Sequence, residues 1–377
     1  MTIGNALLDG KAVDIVINGS IIESVIPHSP CAVDIDAHGL SVFPGLCNMH
    51  SHAPMTLFRG LGDDQPLDIW LNKYIWPAEQ RLTDETVYKG TLQACREMLA
   101  SGTTAFNDMY FRLPAMAKAV EESGIIGRLG YNVFGDGDDL DDPTVRDLLS
   151  QGGGNVSYSI APHSVYTVSE KGLRKSAEIC RQMGLPMHIH MNETQKEITD
   201  CIAHYGCRPW ELLEKLGVLD LMDGNIIAAH CLYLSDNEIR LMGRHHITAV
   251  HCPNSNLKLG SGYRFPMLEL VEAGVRVTLG TDGSASSNNL DMIEVMKTAA
   301  LLQKGWRGDP TVVPAQQILS IATLGHTIAA GQPACLFLAD AKSLSDLVYA
   351  SHGDSVKMTM VNGKVKYTKK YQEMQDV

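Results

Sequence analysis

Residues 84–111, DETVYKGTLQACREMLASGTTAFNDMYF, join a long amphipathic stretch to a short apolar run. The first part has apolar residues at helical spacing, and the second is typical of a buried strand. Seven more such runs lie between about residues 44 and 325. The eight runs are GLCNMHSH (45–52), GTTAFNDMYF (102–111), IGRLGYNVFG (126–135), VSYSIAPHS (156–164), LPMHIHMNE (185–193), NIIAAHCLYL (225–234), ITAVHCPNS (247–255) and VRVTLGTDGS (275–284). Eight β/α alternations predict an α/β fold, a (β/α)8 TIM barrel.

Periodicity alone also allows a doubly wound parallel sheet. No G-x-G-x-x-G follows the first run, however, and that glycine pattern accompanies the doubly wound dinucleotide-binding domains. We therefore expect residues 44–325 to form a barrel that serves as the catalytic domain.

Short β-type runs broken by Gly, Pro and Ser occupy residues 13–43, and the carboxy-terminal part repeats the pattern. The carboxy-terminal runs are ACLFLAD (334–340), SDLVYAS (345–351) and VKMTMVNGKVKYTKKY (356–371), the last with Asn362-Gly363 as a two-residue hairpin turn. Two strand-rich ends predict a small β-sandwich domain built from residues 1–43 and 326–377.

Composition limits the classes of function. The chain has 377 residues, 45% of them hydrophobic, and a formal net charge of -12, from 31 Lys+Arg against 43 Asp+Glu. That amount of apolar sequence supports a large core, and the negative charge repels nucleic acid and anionic membranes. Nine scattered cysteines without a C-x-x-C pair indicate a reducing, cytoplasmic location. We expect neither a secretory leader nor a membrane span.

Histidine and acidic residues occur where the predicted strands end. His50 and His52 end the first strand, His190 and then Glu193 the fifth, His230 the sixth and Asp282 the eighth. Active sites of barrels form at these carboxyl ends, and residues two apart on a strand face the same side. Each piece alone has an ordinary explanation, since H-x-H arises by chance, His230 fits a core histidine and Asp282 fits a turn. Their joint placement favours one metal site.

The motifs of the chain resemble the amidohydrolase superfamily, in particular the deaminase branch that acts on 5'-deoxyadenosine, methylthioadenosine and S-adenosylhomocysteine. The resemblance spans nearly the whole chain. It rests on PGLCNMHSHAPMTLFRGL (44–61), WPAEQRLT (76–83), GTTAFNDMYF (102–111), APHSVYT (161–167), HMNET (190–194), AAHC (228–231), NSNLKLG (254–260) and GTDGSASSNNLDM (280–292).

The resemblance implies one divalent metal ion per chain, held by His50, His52, His190 and Asp282. Such ligands suit Zn2+, and Fe2+ accepts similar ones. A bound metal lowers the pKa of water from about 15.7 toward 7. Asp282 would then take the water proton, His230 would orient the hydroxide, and Glu193 would protonate a ring nitrogen and the leaving amine.

Other histidines near the predicted site have different expected roles. Binuclear relatives need a carboxylated lysine at the end of strand four, where this chain has His163, so we expect a mononuclear site. We expect His188, one layer below His190, to pack or to support a metal ligand. His251 is left open between a supporting donor and a buried core residue.

The resemblance also implies substrate contacts. Glu79 matches a residue that binds the ribose 2' and 3' hydroxyls, which a carboxylate can accept as two donors. Trp70 matches an apolar wall, although core or interface packing fits it equally. His163 and Ser286 match pocket contacts. The expected substrate is therefore a small nucleoside. The resemblance also implies a homo-oligomeric enzyme that salvages by-products of S-adenosylmethionine.

One region departs from relatives that accept S-adenosylhomocysteine, which carry arginines after strand three. Here Val133 stands near one arginine position and Arg146 near the other. Five aspartates, Asp136, Asp138, Asp139, Asp141 and Asp142, occupy the loop between them. We expect this loop to repel a substrate carboxylate, unless it is a solvated loop far from the ligand or Arg146 of a neighbouring subunit supplies the cation.

Two other functions fit the same scaffold. One is deamination or dehalogenation of another heterocycle, such as guanine, cytosine or an s-triazine; Glu79 argues against it, because a free base has no ribose diol. The other is a non-catalytic barrel that serves assembly, against which the complete set of expected ligands argues.

Overall fold

The structure is a computed structural model that describes residues 1–30 and 32–369. The amino-terminal part forms five strands: β1 Thr2–Leu8, β2 Lys11–Asn18, β3 Ile21–Pro27, β4 Ile35–Asp36 and β5 Ser41–Pro44. Strand β1 was not predicted, because it lies before residue 13, where the predicted strand-rich region begins. Cys31, one of the nine cysteines, lies outside the described residues, as do residues 370–377 at the end of the predicted β domain.

Eight parallel strands follow and form the barrel. They are β6 Leu46–Ser51, β7 Thr103–Tyr110, β8 Ile126–Val133, β9 Val156–Pro162, β10 Met187–Met191, β11 Ile226–His230, β12 Thr248–His251 and β13 Arg276–Leu279. Each strand pairs with the next along the chain. Every one lies within a run that predicted it, so the (β/α)8 prediction is confirmed.

The two ends of this sheet meet just after β13. The backbone N–H of Asp282 donates to the carbonyl oxygen of His50 over 3.0 Å. Gly280 allows this approach, because a Cβ there would lie 2.8 Å from the backbone nitrogen of His50. The closure thus brings Asp282 beside the histidines that follow β6.

Helices surround the barrel and cover its carboxyl end. They are α1 Leu67–Trp70, α2 Trp76–Glu79, α3 Asp84–Ala100, α4 Leu113–Ser123, α5 Pro143–Ser150, α6 Glu170–Met183, α7 Gln195–Tyr205, α8 Pro209–Lys215, α9 Val218–Met222, α10 Asp236–Arg244, α11 Pro253–Lys258, α12 Met267–Glu272, α13 Met292–Arg307, α14 Ala315–Ala322 and α15 Leu344–Tyr349. A π-helical turn, Leu71–Ile75, joins α1 to α2, and short 3-10 turns cover Ala53–Phe58, Asp138–Asp141 and Gly353–Ser355. Among the described residues no helix has the length and apolar character needed to cross a bilayer.

Three carboxy-terminal strands, β14 Leu336–Ala339, β15 Val356–Val361 and β16 Lys364–Thr368, complete the β domain. They join the amino-terminal strands in a single sheet of order β16-β15-β14-β5-β1-β2-β3, with β4 beside β1. This sheet has its own apolar cluster, which includes Ile15, Ile17 and Leu336. A β domain built from both ends of the chain is therefore confirmed. The boundary placed between residues 43 and 44 falls inside β5 and stays a prediction.

Two local predictions in this domain have different outcomes. The hairpin is present, because Asn362 and Gly363 have positive φ between β15 and β16. The strand predicted at 345–351 is wrong, since α15 occupies Leu344–Tyr349. The Ser343 side chain accepts a hydrogen bond from the backbone N–H of Asp346 and caps that helix.

Candidate active site

Six predicted side chains converge at the carboxyl end of the barrel. They come from the ends of four strands: His50 and His52 from β6, His190 and Glu193 from β10, His230 from β11 and Asp282 from the turn after β13. All are buried except His52, which is partly buried. His230 and Asp282 have positive φ of 76° and 62°, unusual for non-glycine residues and frequent at functional sites.

Two histidine rings face one carboxylate, and a third histidine lies beside one of them. Oδ1 of Asp282 lies 3.4 Å from Nε2 of His50 and 3.3 Å from Nε2 of His52. Nε2 of His190 lies 3.3 Å from that of His52. The buried Nε2 of His50 has no hydrogen-bond partner among the described residues. The ligand atoms of His50, His52 and His190 lie close enough together to hold one divalent metal ion, and so do those of His50, His230 and Asp282.

The opposite nitrogens of two of these histidines are fixed by backbone carbonyl groups. Nδ1 of His52 lies 2.6 Å from the carbonyl oxygen of Met109, and Nδ1 of His190 lies 2.7 Å from that of His163. Each Nδ1 therefore carries the hydrogen, and the lone pair of each Nε2 faces the centre of the site.

His188 supports the third histidine. Its Nε2 lies 2.9 Å from Nδ1 of His50. Burial holds the pKa of His188 well below its usual range, so the ring stays neutral and accepts the Nδ1 hydrogen of His50. Nδ1 of His188 then carries the hydrogen and faces the carbonyl oxygen of Asp108 at 3.4 Å, with the Asn107 side-chain amide 2.9 Å away. His188 thus orients His50 without facing the metal position.

Replacing His188 by leucine is expected to weaken metal binding about 10- to 100-fold, because His50 loses the acceptor that orients it. Titration of the apoprotein with Zn2+ against a competing chelator measures this. Glutamine at the same position is the matched control, since its side chain still offers an acceptor. Equal affinity of the leucine variant and the parent protein would contradict the role of His188.

Asp282 is held as an anion. Its Oδ2 accepts a hydrogen bond from Ser255 over 2.6 Å, and Oδ1 accepts one from the Gly283 backbone over 2.7 Å. Burial by itself raises the pKa of this carboxyl, but the contacts with His50 and His52 outweigh it and hold the pKa well below the usual range. Asp282 is therefore available as a ligand and as a proton acceptor.

Glu193 has the opposite character. Burial raises the pKa of its carboxyl, and the nearby His230 only partly offsets this. Oε2 lies 3.8 Å from Nε2 of His230, and Oε1 accepts a hydrogen bond from Ser261 over 3.2 Å. Two neighbouring carboxyls with pKa values moved in opposite directions are a pattern of acid–base sites, in which one group can give a proton and the other take it.

A cavity opens in front of these side chains and is lined by residues from several strand ends. The predicted substrate residues Trp70, Glu79 and His163 line it. The buried Ser286 is absent from the described lining, and its hydroxyl donates to the Gly283 carbonyl over 2.9 Å. Among the described residues the lining consists of His52, Met55, Leu67, Trp70, Leu71, Ile75, Trp76, Glu79, Tyr110, Phe111, Asn132, Phe134, His163, Tyr166, His190, Glu193, His230, Leu259 and Asp282.

Several lining residues were missed by reasoning from the sequence. Tyr110 and Asn132 are at or near the ends of β7 and β8, and the Tyr110 hydroxyl and the Asn132 side-chain oxygen have no partner of standard geometry within the described chain. Burial raises the pKa of the Tyr110 hydroxyl well above its usual range, and the nearby Glu79 carboxyl adds to this effect. Their position at strand ends is the signal that could have identified them.

The acidic loop after β8 does not contribute to this cavity. Lys171 pairs with Asp136 over 3.2 Å and with Asp138 over 3.1 Å, and Lys175 pairs with Asp141 over 2.5 Å. The last two aspartates also have partners, because Asp139 accepts a hydrogen bond from Tyr131 and Asp142 caps α5. The expected repulsion of a substrate carboxylate by this loop therefore lacks a structural basis.

Val133 and Arg146, the positions compared with the arginines of relatives, do not line the cavity either. Val133 is fully buried in the apolar core, whereas Phe134 lines the cavity. Nε of Arg146 donates to the carbonyl oxygen of Leu140, and its Nη1 donates to Gln182. His251, left open from the sequence, is buried and stacks on Phe265 with ring centroids 4.3 Å apart.

The chain is similar to known proteins over most of its length. The model of the family described as "Amidohydrolase family" matches residues 41–366. A 5'-deoxyadenosine deaminase of Methanoregula boonei is 42% identical over 357 residues, covering 88% of this chain and 80% of that protein. A 5-methylthioadenosine/S-adenosylhomocysteine deaminase of Moorella thermoacetica is 42% identical over 361 residues, covering 88% and 82%.

Among solved structures, an adenosine deaminase from Xanthomonas campestris with bound zinc superposes with a TM-score of 0.89 at 32% identity. The superposition covers 100% of this chain and 94% of that one. The matched family model spans more than half of the described residues, and the relatives match most of the chain at about 40% identity. The chain belongs to the amidohydrolase family.

Proposed function

We propose that this chain catalyses the hydrolytic deamination of 5'-modified adenosines to the corresponding inosines and ammonia. The observation that carries the proposal is one cavity that contains the histidine–aspartate cluster, the buried Glu193 and the half-buried Glu79. The activities named for the relatives from Methanoregula and Moorella support it. Guanine, cytosine and triazines have no ribose hydroxyls, so Glu79 would not help to bind them.

The metal in this proposal is one divalent ion per chain, with Zn2+ as the first choice and Fe2+ as an ion that accepts similar ligands. His50, His52, His190 and Asp282 would hold it. The unpartnered Nε2 of His50 and the inward lone pairs of His52 and His190 support this assignment. When bound, such an ion makes hydroxide available from water at neutral pH.

The residues of the chain then move protons around the reacting carbon. Asp282, held as an anion, accepts the proton of the attacking water. Glu193, whose pKa is raised, donates a proton to a ring nitrogen of the purine. It then takes the hydroxyl proton from the tetrahedral carbon and passes it to the amine, which departs as ammonia. The proton held by Asp282 returns to Glu193, so both carboxyls regain their starting states. His230, 3.8 Å from Glu193 and anchored by Asn256 at 2.9 Å, orients the attacking oxygen.

The remaining predicted contacts bind the nucleoside. The Glu79 carboxylate accepts hydrogen bonds from the two ribose hydroxyls. Trp70 is buried, its indole N–H donates to the Leu61 carbonyl, and its ring forms an apolar wall of the cavity. His163 and Ser286 contact the substrate, Ser286 through small shifts of its turn. A cytoplasmic location and a homo-oligomeric state stay predictions from the sequence.

We expect 5'-deoxyadenosine and methylthioadenosine to have a kcat/KM at least about tenfold higher than S-adenosylhomocysteine. The described lining of the cavity includes no lysine or arginine, and its wall contains stacked rings of Phe111, Phe134 and His163. A buried carboxylate without a cation costs more than the roughly 1.4 kcal/mol that a tenfold ratio requires.

Phe134→Arg is expected to narrow this gap by placing a cation at the wall, and Phe134→Leu is the matched control. Steady-state kinetics of the three nucleosides measure both effects. A parent enzyme that prefers S-adenosylhomocysteine, and loses that preference in Arg146→Ala, would show that a neighbouring subunit supplies the cation.

A panel of nucleosides and free bases tests the proposed function itself. Ammonia release from 5'-deoxyadenosine, methylthioadenosine, adenosine and S-adenosylhomocysteine is compared with release from guanine, cytosine and a chloro-s-triazine, with chloride also measured for the last. Turnover of adenosines alone is the expected result.

A further inference from the structure

Lys258 at the end of α11 lies between two loops at the mouth of the barrel. Its ammonium group donates to Oδ1 of Asp63 over 2.6 Å, to the carbonyl oxygen of Ala285 over 3.1 Å and to Oδ1 of Asn288 over 3.1 Å. A lysine has three hydrogens to donate, so all of them have acceptors. The side chain is 21% exposed and that of Asp63 is 36% exposed. Lys258 therefore joins the segment after β6 to the loop after β13.

The segment after β6 forms much of the cavity wall. Residues 60–79, called here the wall segment, supply six of the lining residues, namely Leu67, Trp70, Leu71, Ile75, Trp76 and Glu79. Hydrogen bonds such as that of Trp70 to Leu61 stay inside the segment. Within the described chain, side-chain hydrogen bonds of standard geometry that connect the segment to the rest of the protein all end on Asp63. Asp63 is thus the main polar anchor of this wall, and the Glu79 carboxyl near the Tyr110 hydroxyl is a second polar contact.

The helix that carries Lys258 also contacts the reacting centre. Ser255 of α11 donates to Asp282 over 2.6 Å, and the amide of Asn256 lies 2.9 Å from Nδ1 of His230. Both residues are buried. One short helix therefore touches the wall segment through its last residue and the metal-site cluster through two earlier ones.

We propose that Lys258 is a positioning residue that fixes the wall segment over the cavity through its ion pair with Asp63. The pair sets where Trp70 and Glu79 stand relative to His230 and Asp282, because α11 contacts both groups. The expected effect on KM rests on the proposed deaminase function. The expected effect on the order of the wall segment does not depend on which substrate is turned over.

Asp63→Ala tests the proposal most selectively, since Lys258 keeps its bonds to Ala285 and Asn288. Losing a charge-assisted hydrogen bond is expected to raise KM for 5'-deoxyadenosine at least about fivefold. The kcat value at saturation and the bound metal should change less than about twofold, because bound substrate orders the wall. Hydrogen exchange of backbone amides in peptides covering residues 60–79 should be faster in the substrate-free variant.

Lys258→Met and the double variant provide the second measurement. Since both single variants break one pair, KM of the double variant should equal that of the more affected single variant rather than the product of both effects. Lys89→Met is the matched control, because Lys89 pairs with Glu85 on the exposed face of α3 and is expected to change neither readout.

Unchanged exchange in residues 60–79 of both Asp63→Ala and Lys258→Met would overturn the proposal, and so would multiplicative effects on KM in the double variant. If the parent protein releases no ammonia from any adenosine, the proposed function fails while the exchange measurement still decides the role of Lys258. Faster exchange confined to residues 60–79 then supports it.

Discussion

Replacing Glu193 by glutamine is expected to lower kcat for 5'-deoxyadenosine by at least about 10²-fold and to leave the bound metal in place. General acid–base groups contribute roughly 10²- to 10⁴-fold, and a group that handles more than one proton transfer lies toward the upper end. Glutamine keeps the size and the hydrogen bond with Ser261 but has no proton to exchange. Glu193 lies beside the His50–His52–His190 cluster and is not part of it, so the metal content of the variant should be unchanged.

The absorbance change from an adenosine to an inosine chromophore measures turnover, and elemental analysis measures the metal. Glu178→Gln is the control, since Glu178 pairs with Arg174 on the exposed face of α6. Parent-like turnover of Glu193→Gln would remove Glu193 from the mechanism, and loss of metal would make it a ligand.

Replacing His52 by alanine is expected to remove both the metal and all measurable activity. The ring nitrogen of His52 lies 3.3 Å from both Asp282 and His190, so its loss removes a ligand from the centre of the cluster. The parent protein should contain close to one metal per chain. His204→Ala on the exposed end of α7 is the control and should retain metal and activity.

Elemental analysis and activity after dialysis against a chelator test this directly. Restored activity on adding one equivalent of Zn2+ or Fe2+ is the expected result for the parent protein. Two metals per chain in the active enzyme would contradict the mononuclear assignment, and an active, metal-free His52→Ala variant would contradict the need for a metal.

The barrel and its cluster of ligands could be predicted from the sequence, because the apolar runs mark the strands and the residues at their ends mark the site. Parallel strands carry continuous apolar runs, and the residues that follow each run come together when the sheet closes. His50, His190, His230 and Asp282 are far apart in the chain but each immediately follows or ends such a run, so a fold hypothesis placed them together without any contact information.

The wall of the cavity could not be predicted in the same way. At the end of β8 the period of two alternates Asn132, Val133 and Phe134, and only the strand register decides that the outer two face the cavity. The resemblance to relatives pointed to Val133, which is buried in the core. The sequence of the following loop suggested unpaired aspartates near the substrate. Their partners Lys171 and Lys175 lie over thirty residues away on α6, so the sequence alone does not show these ion pairs.

The error at residues 345–351 has a local cause. SDLVYAS contains Val and Tyr, which favour strands when read alone. In the structure Ser343 and Asp346 cap a short helix, and Leu347 and Val348 are buried on one side of it. A capping residue just outside the apolar run outweighed the β propensity inside it.

The most direct test is incubation of the metal-loaded protein with 5'-deoxyadenosine, followed by measurement of ammonia and of the nucleoside product. We expect one ammonia and one 5'-deoxyinosine for each 5'-deoxyadenosine consumed, with the product absorbing as an inosine. No ammonia from this or any other adenosine, together with turnover of guanine or a triazine by the same preparation, would contradict the assignment of this site to adenosine deamination.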